Sequence, residues 1–116
     1  ATGNNQRVYL KIAESLAGRI AKERMPWADP LASLVRAGVA YKRGETAAAT
    51  TTLADAAEHF DLAEMQLYAA AARRRLGKLI GGRRGEELLT EADAWMREQK
   101  IDNPERMTRM LAPGFD

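Results

Sequence analysis

The 116-residue chain has no cysteine and a single histidine, His59. Without thiols it can hold no disulfide, no thiolate nucleophile and no cysteine-bound metal. With one imidazole, a histidine metal centre or a His-dependent catalytic pair lacks its second member. Long apolar runs are missing too. None approaches the ~18 residues that cross a bilayer, and no basic, apolar and small-residue signal segment opens the chain, so no membrane partner is expected. β-Branched residues never alternate over a useful length and no Asn-Gly or Asp-Gly turn occurs, so strands are not expected either. The formal net charge is only +2, too small for a global field to drive binding. The absence of cysteine is compatible with a reducing cytoplasm, which is the expected location.

What is present reads as helix. With 46% apolar and 29% charged residues the chain fits one compact domain, 1–116. Its opening, "ATGNNQ", lacks an initiator Met, and the chain is expected to be a piece excised or processed from something longer. An opening helix over about 6–24 runs through Val8, Tyr9, Ile12, Leu16 and Ile20 until Pro26 ends it. In "ADPLASLVRAGVAYKRGE" Asp29 stands where an N-cap belongs, Pro30 at the first helical position and Gly44 just past the end. Leu31, Leu34, Val35 and Gly38 form the inner stripe of that helix. A second helix from Glu45 or Thr46 to about His59 turns Ala49, Leu53, Ala56, Ala57 and Phe60 inward, completing a pair over about 30–60.

"DLAE", Asp61 to Glu64, matches a capping box, in which the Asp side chain satisfies an amide three residues on and Glu reaches back. It predicts a third helix from about Leu62 to Leu76, with Met65, Tyr68, Ala69, Ala72 and Leu76 inward. "EELLTEADAWMREQ" predicts a fourth, with Leu88, Leu89, Ala92, Trp95 and Met96 on one face and Glu86 and Glu87 in its first turn, closing a second pair over about 62–99. Asn103 caps a closing helix over about 104–111, with Pro104 at its first position and Pro113-Gly114 as its stop. Trp95 and Trp27 are expected as packing anchors, and Met96, Met107 and Met110 as gap-fillers near the last helix.

Between the third and fourth helices lies "RRRLGKLIGGRRGEE", residues 73–87, with six basic residues and four glycines. Gly77 and Gly82 have the spacing of a phosphate loop, but Arg83 and Arg84 stand where that loop needs Lys and then Ser or Thr. A phosphate loop also follows a strand, whereas these glycines follow a helix, where a C-cap belongs. The stretch is therefore read as a turn. Arg73 to Arg75 and Lys78 would then sit in a last helical turn, where the carbonyl end of the dipole favours cations. A local basic footprint is also what nucleic acid requires, but no aromatic residue interleaves it, so an acidic protein segment is the preferred partner and nucleic acid, on segment 73–84, the alternative.

The chain also repeats. Leu53, Ala57 and Phe60 recur 35 residues on as Leu88, Ala92 and Trp95, while Leu34, Ala37 and Gly44 recur 33 residues on as Leu67, Ala70 and Gly77. Helix pairs of this period resemble tetratricopeptide repeats, in their small inward residues Ala37, Ala49 and Ala56 and in a first helix ending at Gly44. The pattern departs from that family in lacking the first-helix tryptophan and the closing proline, whose place Asp61 takes. The ending "EADAWMREQKIDNPERMTRMLAPGFD" looks like the C-terminus of bacterial multidomain signalling proteins in which a serine/threonine kinase domain precedes a helical-repeat region. The resemblance implies an all-α fold of antiparallel helix pairs in a short right-handed solenoid.

It also implies a docking or regulatory segment without catalysis, cofactor or metal. The first helices of successive pairs would line a concave wall, so Tyr41, Lys42, Arg74 and Arg75, with Arg83 and Arg84 from the basic stretch, are the candidate partner-contacting residues. The expected partner is another protein or other domains of the parent chain, and exposed solenoid ends allow self-association.

Overall fold

A computed structural model describes residues 10–14 and 28–115, and the described residues are helical with no strand. Five helices follow in order: α1 (Ala28–Lys42), α2 (Thr46–Leu62), α3 (Gln66–Ile80), α4 (Gly82–Glu98) and α5 (Pro104–Leu111). Residues 10–14 are helical as well, whereas Val8, Tyr9, Leu16, Ile20, Pro26 and Trp27 lie outside the described residues.

Successive helices pack on one another, and α3 also receives α5, so α3 has neighbours on three sides. That position explains its burial. Ala69, Ala70, Ala71 and Ala72 are four consecutive buried residues, which a helix with one apolar stripe does not show. Met65 and Tyr68, expected inward, are only half-buried, although Tyr68 stacks on Phe60 at 5.3 Å between ring centroids. In α2 all five residues assigned to the inner face, Ala49, Leu53, Ala56, Ala57 and Phe60, are buried. Its threonines stay helical by returning their hydroxyls to the preceding turn, Thr50 to the carbonyl of Thr46 at 2.9 Å and Thr51 to that of Ala47 at 3.2 Å.

The segment 10–14 covers a second face of α1, through Leu10, Ala13 and Val39 with Val35 beside them, and Glu14 pairs with Arg43. Ile12, assigned inward from the sequence, is 55% exposed; Leu10 and Ala13 take the inward positions instead. At the other end Met110 is 70% exposed and fills no gap, whereas Met96 is fully buried.

Some helix boundaries differ from expectation. Helix α1 is under way at Ala28, so Asp29 lies in its first turn and is not its N-cap. Helix α2 runs past His59 to Leu62, and "DLAE" is its stop, not a capping box. Glu64 adopts φ 60°, its N–H bonds to the Asp61 carbonyl at 3.0 Å, and the Met65 N–H bonds to that of Phe60 at 2.8 Å. This pair of bonds is a Schellman stop, which needs one left-handed residue. Gly44 after α1 (φ 80°) and Lys100 after α4 (φ 63°) make the same two bonds, Gly44 N–H to Tyr41 with Glu45 N–H to Ala40, and Lys100 N–H to Arg97 with Ile101 N–H to Met96. Helix α3 consequently starts at Gln66 behind Met65, which offers no side-chain cap. Asn103 does cap α5, accepting from the Arg106 N–H at 3.0 Å.

The glycine-rich stretch is not a long turn. Helix α3 continues through Gly77 to Ile80, Gly81 alone joins it to α4, and Gly85 is already inside α4. Glu86 and Glu87 are thus beyond the first turn, which holds Arg83 and Arg84. Gly77 and Gly85 are buried because the backbones of α3 and α4 meet there. A Cβ on Gly77 would lie 2.7 Å from the Gly85 carbonyl oxygen and 3.1 Å from Leu89 Cγ, and one on Gly85 would meet the Gly77 carbonyl closer still.

The helix spacing also differs from the sequence periods. Helices α1 and α3 each have 15 residues and end 38 apart; α2 and α4 each have 17 and end 36 apart. At 36, fully buried Phe60 corresponds to fully buried Met96, and Trp95, one residue aside, is half-buried.

Two substitutions test the backbone argument with opposite signs. Gly77→Ala should destabilise the domain by about 1–3 kcal/mol in urea unfolding, since the crowded backbone outweighs the ~1 kcal/mol that alanine contributes to a free helix. Lys100→Gly should stabilise it by roughly 0.5–1 kcal/mol by relieving a left-handed side-chain residue. A gain at position 77 would mean that the two helices do not cross that closely.

Candidate functional site

The six basic residues of segment 73–84 have different fates. Arg73, Arg74, Arg75 and Lys78 belong to α3, whose residues turn by about 100° each, so three successive arginines leave in three directions. Arg73 reaches α2 and grips both carboxylate oxygens of Asp61, with Nη1 to Oδ1 at 3.2 Å. Arg74 reaches α4, where its Nε donates to Asp93 Oδ1 at 2.5 Å; the pair is largely shielded, the two side chains being 11% and 21% exposed. Arg75, only 4% exposed, turns to the tail beyond α5 and donates from Nε to the Ala112 carbonyl at 2.9 Å. Lys78 reaches α5 and bonds Glu105 at 3.0 Å. That hydrogen bond and the Lys78 charge, with Arg109 nearby, hold the Glu105 carboxyl below its ordinary range.

Arg83 and Arg84 remain at the surface. Both pair with Glu87 of their own helix, at 3.9 and 3.6 Å, and Arg83 is 95% exposed. They stand in the first turn of α4, where the helix dipole disfavours cations, so their contribution to stability is small.

Tyr41 and Arg75 are brought together, but by the chain itself. The tail after α5 crosses from α3 to α1: Ala112 is fully buried, and Phe115 is 7% exposed. The Phe115 ring lies 5.6 Å from the Tyr41 ring and 5.6 Å from the Arg75 guanidinium carbon, which sits over its face. Gly38 of α1 leaves room for this passage, with the Pro113 carbonyl and the Phe115 ring 3.6 and 3.7 Å from where its Cβ would be. Lys42, half-buried, is the last residue of α1.

The two arginines expected on an open wall are therefore engaged inside the fold. Sequence reasoning took Pro113-Gly114 only as a helix stop and missed Ala112 and Phe115; the available signal was an aromatic residue placed directly after a Pro-Gly break.

An open groove of about 280 Å³ lies between α2, α3 and α4 and is lined by Asp61, Gln66, Arg73, Glu91 and Trp95. His59 is exposed on α2 and its Nδ1 lies 2.7 Å from the Asp55 carbonyl oxygen, a local bond within the helix. Among the described residues no three His, Cys, Asp or Glu side chains gather as metal ligands, and no helix is long and apolar enough to cross a membrane. Compared with known proteins, the chain matches no family model, no curated protein and no solved structure.

The different fates of the arginines make a stability test. Arg75→Ala should cost about 2–4 kcal/mol in chemical denaturation, since it strips the buried Ala112 carbonyl of a charged donor and removes a packed side chain. Arg83→Glu with Arg84→Glu should change stability by no more than roughly 1 kcal/mol, as exposed pairs contribute little. Equal effects at the two places would refute the division between internal and surface cations.

Proposed function

We propose that the domain is a non-catalytic protein–protein interaction or regulatory module. The observation that carries this reading is the passage of a non-helical stretch, residues 112–115, across α1 and α3, where Tyr41, Gly38 and Arg75 receive it. A helical surface that holds a non-helical segment by an aromatic ring, a glycine gap and a buried guanidinium has attributes of a peptide-binding surface. The equal lengths of α1 and α3, and of α2 and α4, support antiparallel helix pairs stacked as a short tetratricopeptide-like, right-handed solenoid. In that arrangement α1 and α3 are the first helices of the two pairs, and Tyr41, Lys42 and Arg75 line their shared wall. The resemblance of the ending to bacterial multidomain kinases makes a docking or regulatory segment of such a protein the specific form of the proposal.

The nucleic-acid alternative is weakened by the partners of its own cations. Arg73, Arg74, Arg75 and Lys78 are bound to Asp61, Asp93, the Ala112 carbonyl and Glu105, leaving Arg83 and Arg84 to face phosphate.

Affinity capture with the intact domain, followed by binding to the purified partner, tests the reading. The expected result is a protein partner whose binding weakens at least about tenfold in Tyr41→Ala, the loss of about 1.4 kcal/mol typical of an aromatic contact at an interface centre. Binding to generic duplex DNA at ~150 mM salt, with a steep log-log salt dependence, would favour the alternative instead.

A further inference from the structure

The ion pairs that occupy Arg73, Arg74 and Lys78 leave one nearby carboxylate, Glu91, without a partner. The open groove of about 280 Å³ between α2, α3 and α4 sets two carboxylates, Asp61 and Glu91, against one guanidinium, Arg73. Arg73 grips both oxygens of Asp61, so these two charges offset each other. The Glu91 side chain is exposed and, among the described residues, its carboxylate makes no hydrogen bond or ion pair. Trp95, half-buried, packs on the core and lines the same groove, together with the small buried residues Ala70 and Ala92. Although Arg73 shares the groove with Trp95, its guanidinium goes to Asp61. The cation–ring contact among the described residues is Arg75 on Phe115, and Trp95 carries none.

These features select an occupant by charge and size. The volume falls below the roughly 300–1,000 Å³ of sites that enclose a small molecule, and it suits one inserted side chain. An acidic side chain meets like charge at Glu91 and an Arg73 already satisfied by Asp61. An apolar one takes water from Glu91 and Gln66 and returns no hydrogen bond. A cation gains both the free carboxylate and the indole ring. Arginine gains most, because its planar guanidinium stacks on aromatic rings, forks onto a carboxylate and is less strongly hydrated than the lysine ammonium.

We propose that this groove receives an arginine side chain of a partner protein, recognised by Trp95 and Glu91. The guanidinium stacks on the indole and donates to Glu91, while its alkyl stem covers Ala70 and Ala92. This rests on reading the domain as an interaction module, and it names one side chain of the partner at residues separate from Tyr41 and Arg75.

The probe is the peptide acetyl-Gly-Arg-Gly-amide, titrated into the full chain while the Trp95 indole N–H is followed by NMR. The chain has two tryptophans, and the Trp95 signal is the one lost in Trp95→Phe. It should shift saturably with a dissociation constant on the order of millimolar, as a single side chain gives. The same peptide with glutamate or leucine at its centre should not shift it. Glu91→Gln, at an exposed position without an ion pair, should weaken the arginine peptide about fivefold, the upper range for a solvent-facing pair. Glu98→Gln changes net charge equally on the same helix but lies outside the groove lining, and should leave the affinity unaltered. No saturable shift, an equal shift with the glutamate or leucine peptide, or equal effects of the two substitutions overturns the proposal. Capture of a protein partner by Glu91→Gln at unchanged affinity overturns the groove alone and leaves the interaction reading standing. A chain that captures no protein overturns that reading and the proposal with it.

Discussion

Three arginines in a row on a helix cannot share one face, and α3 is enclosed by α2, α4 and the α5-tail unit. The arrangement that satisfies both constraints is the one observed: the helix sends Arg73, Arg74 and Arg75 to three different neighbours, and Lys78, three residues after Arg75, goes to α5. The alanines at 69 to 72 make this possible, because their small side chains let neighbouring backbones come close enough for the long cations to reach across. Gly77 and Gly85 take the same logic to its limit at the α3–α4 crossing.

The cations are not the main source of stability. An exposed pair such as Arg73–Asp61 contributes roughly 0–1 kcal/mol, whereas full burial of Phe60, Leu53 or Met96 contributes about 1.5–3 kcal/mol apiece. What the cations add is geometry. Breaking the shielded Arg74–Asp93 pair would strand a charge, and Arg75 donates from Nε to the Ala112 carbonyl, so each selects one placement of its neighbour. Hydrophobic burial holds the helices together, and the arginines set which surfaces meet.

The helical class, the inner face of α2 and the Asn103 cap were legible in the sequence because each rests on local chemistry: period, propensity and a capping side chain. The helix end at Glu64 was not, because a Schellman stop is recognised by glycine and this position carries a side chain at positive φ. With no glycine to mark the end of α2, Asp61 and Glu64 matched the start of a helix instead. Gly77 failed in the opposite sense. Glycine is an ordinary helix stop, and only the approach of a second backbone distinguishes a packing glycine from a terminating one. Of the candidate contact residues, Tyr41 and Arg75 both meet Phe115, and the sequence could not show this, since that contact spans most of the described chain.

The same internal use of charge alters what a partner can read from this molecule. An acidic segment attracted to the basic stretch meets carboxylates already in place at Asp61, Asp93 and Glu105, and must displace one of them or settle for Arg83 and Arg84 beside Glu87. Steering by surface charge is correspondingly weak. On α1 and α3, Gly38, Tyr41 and Arg75 are likewise engaged by the chain's own residues 113–115 and the Ala112 carbonyl. Removing residues 112–115 from this site would cost the hydrogen bond from Arg75 and the buried surface of Phe115, so the stretch adds to the stability of the domain rather than lying loosely on it.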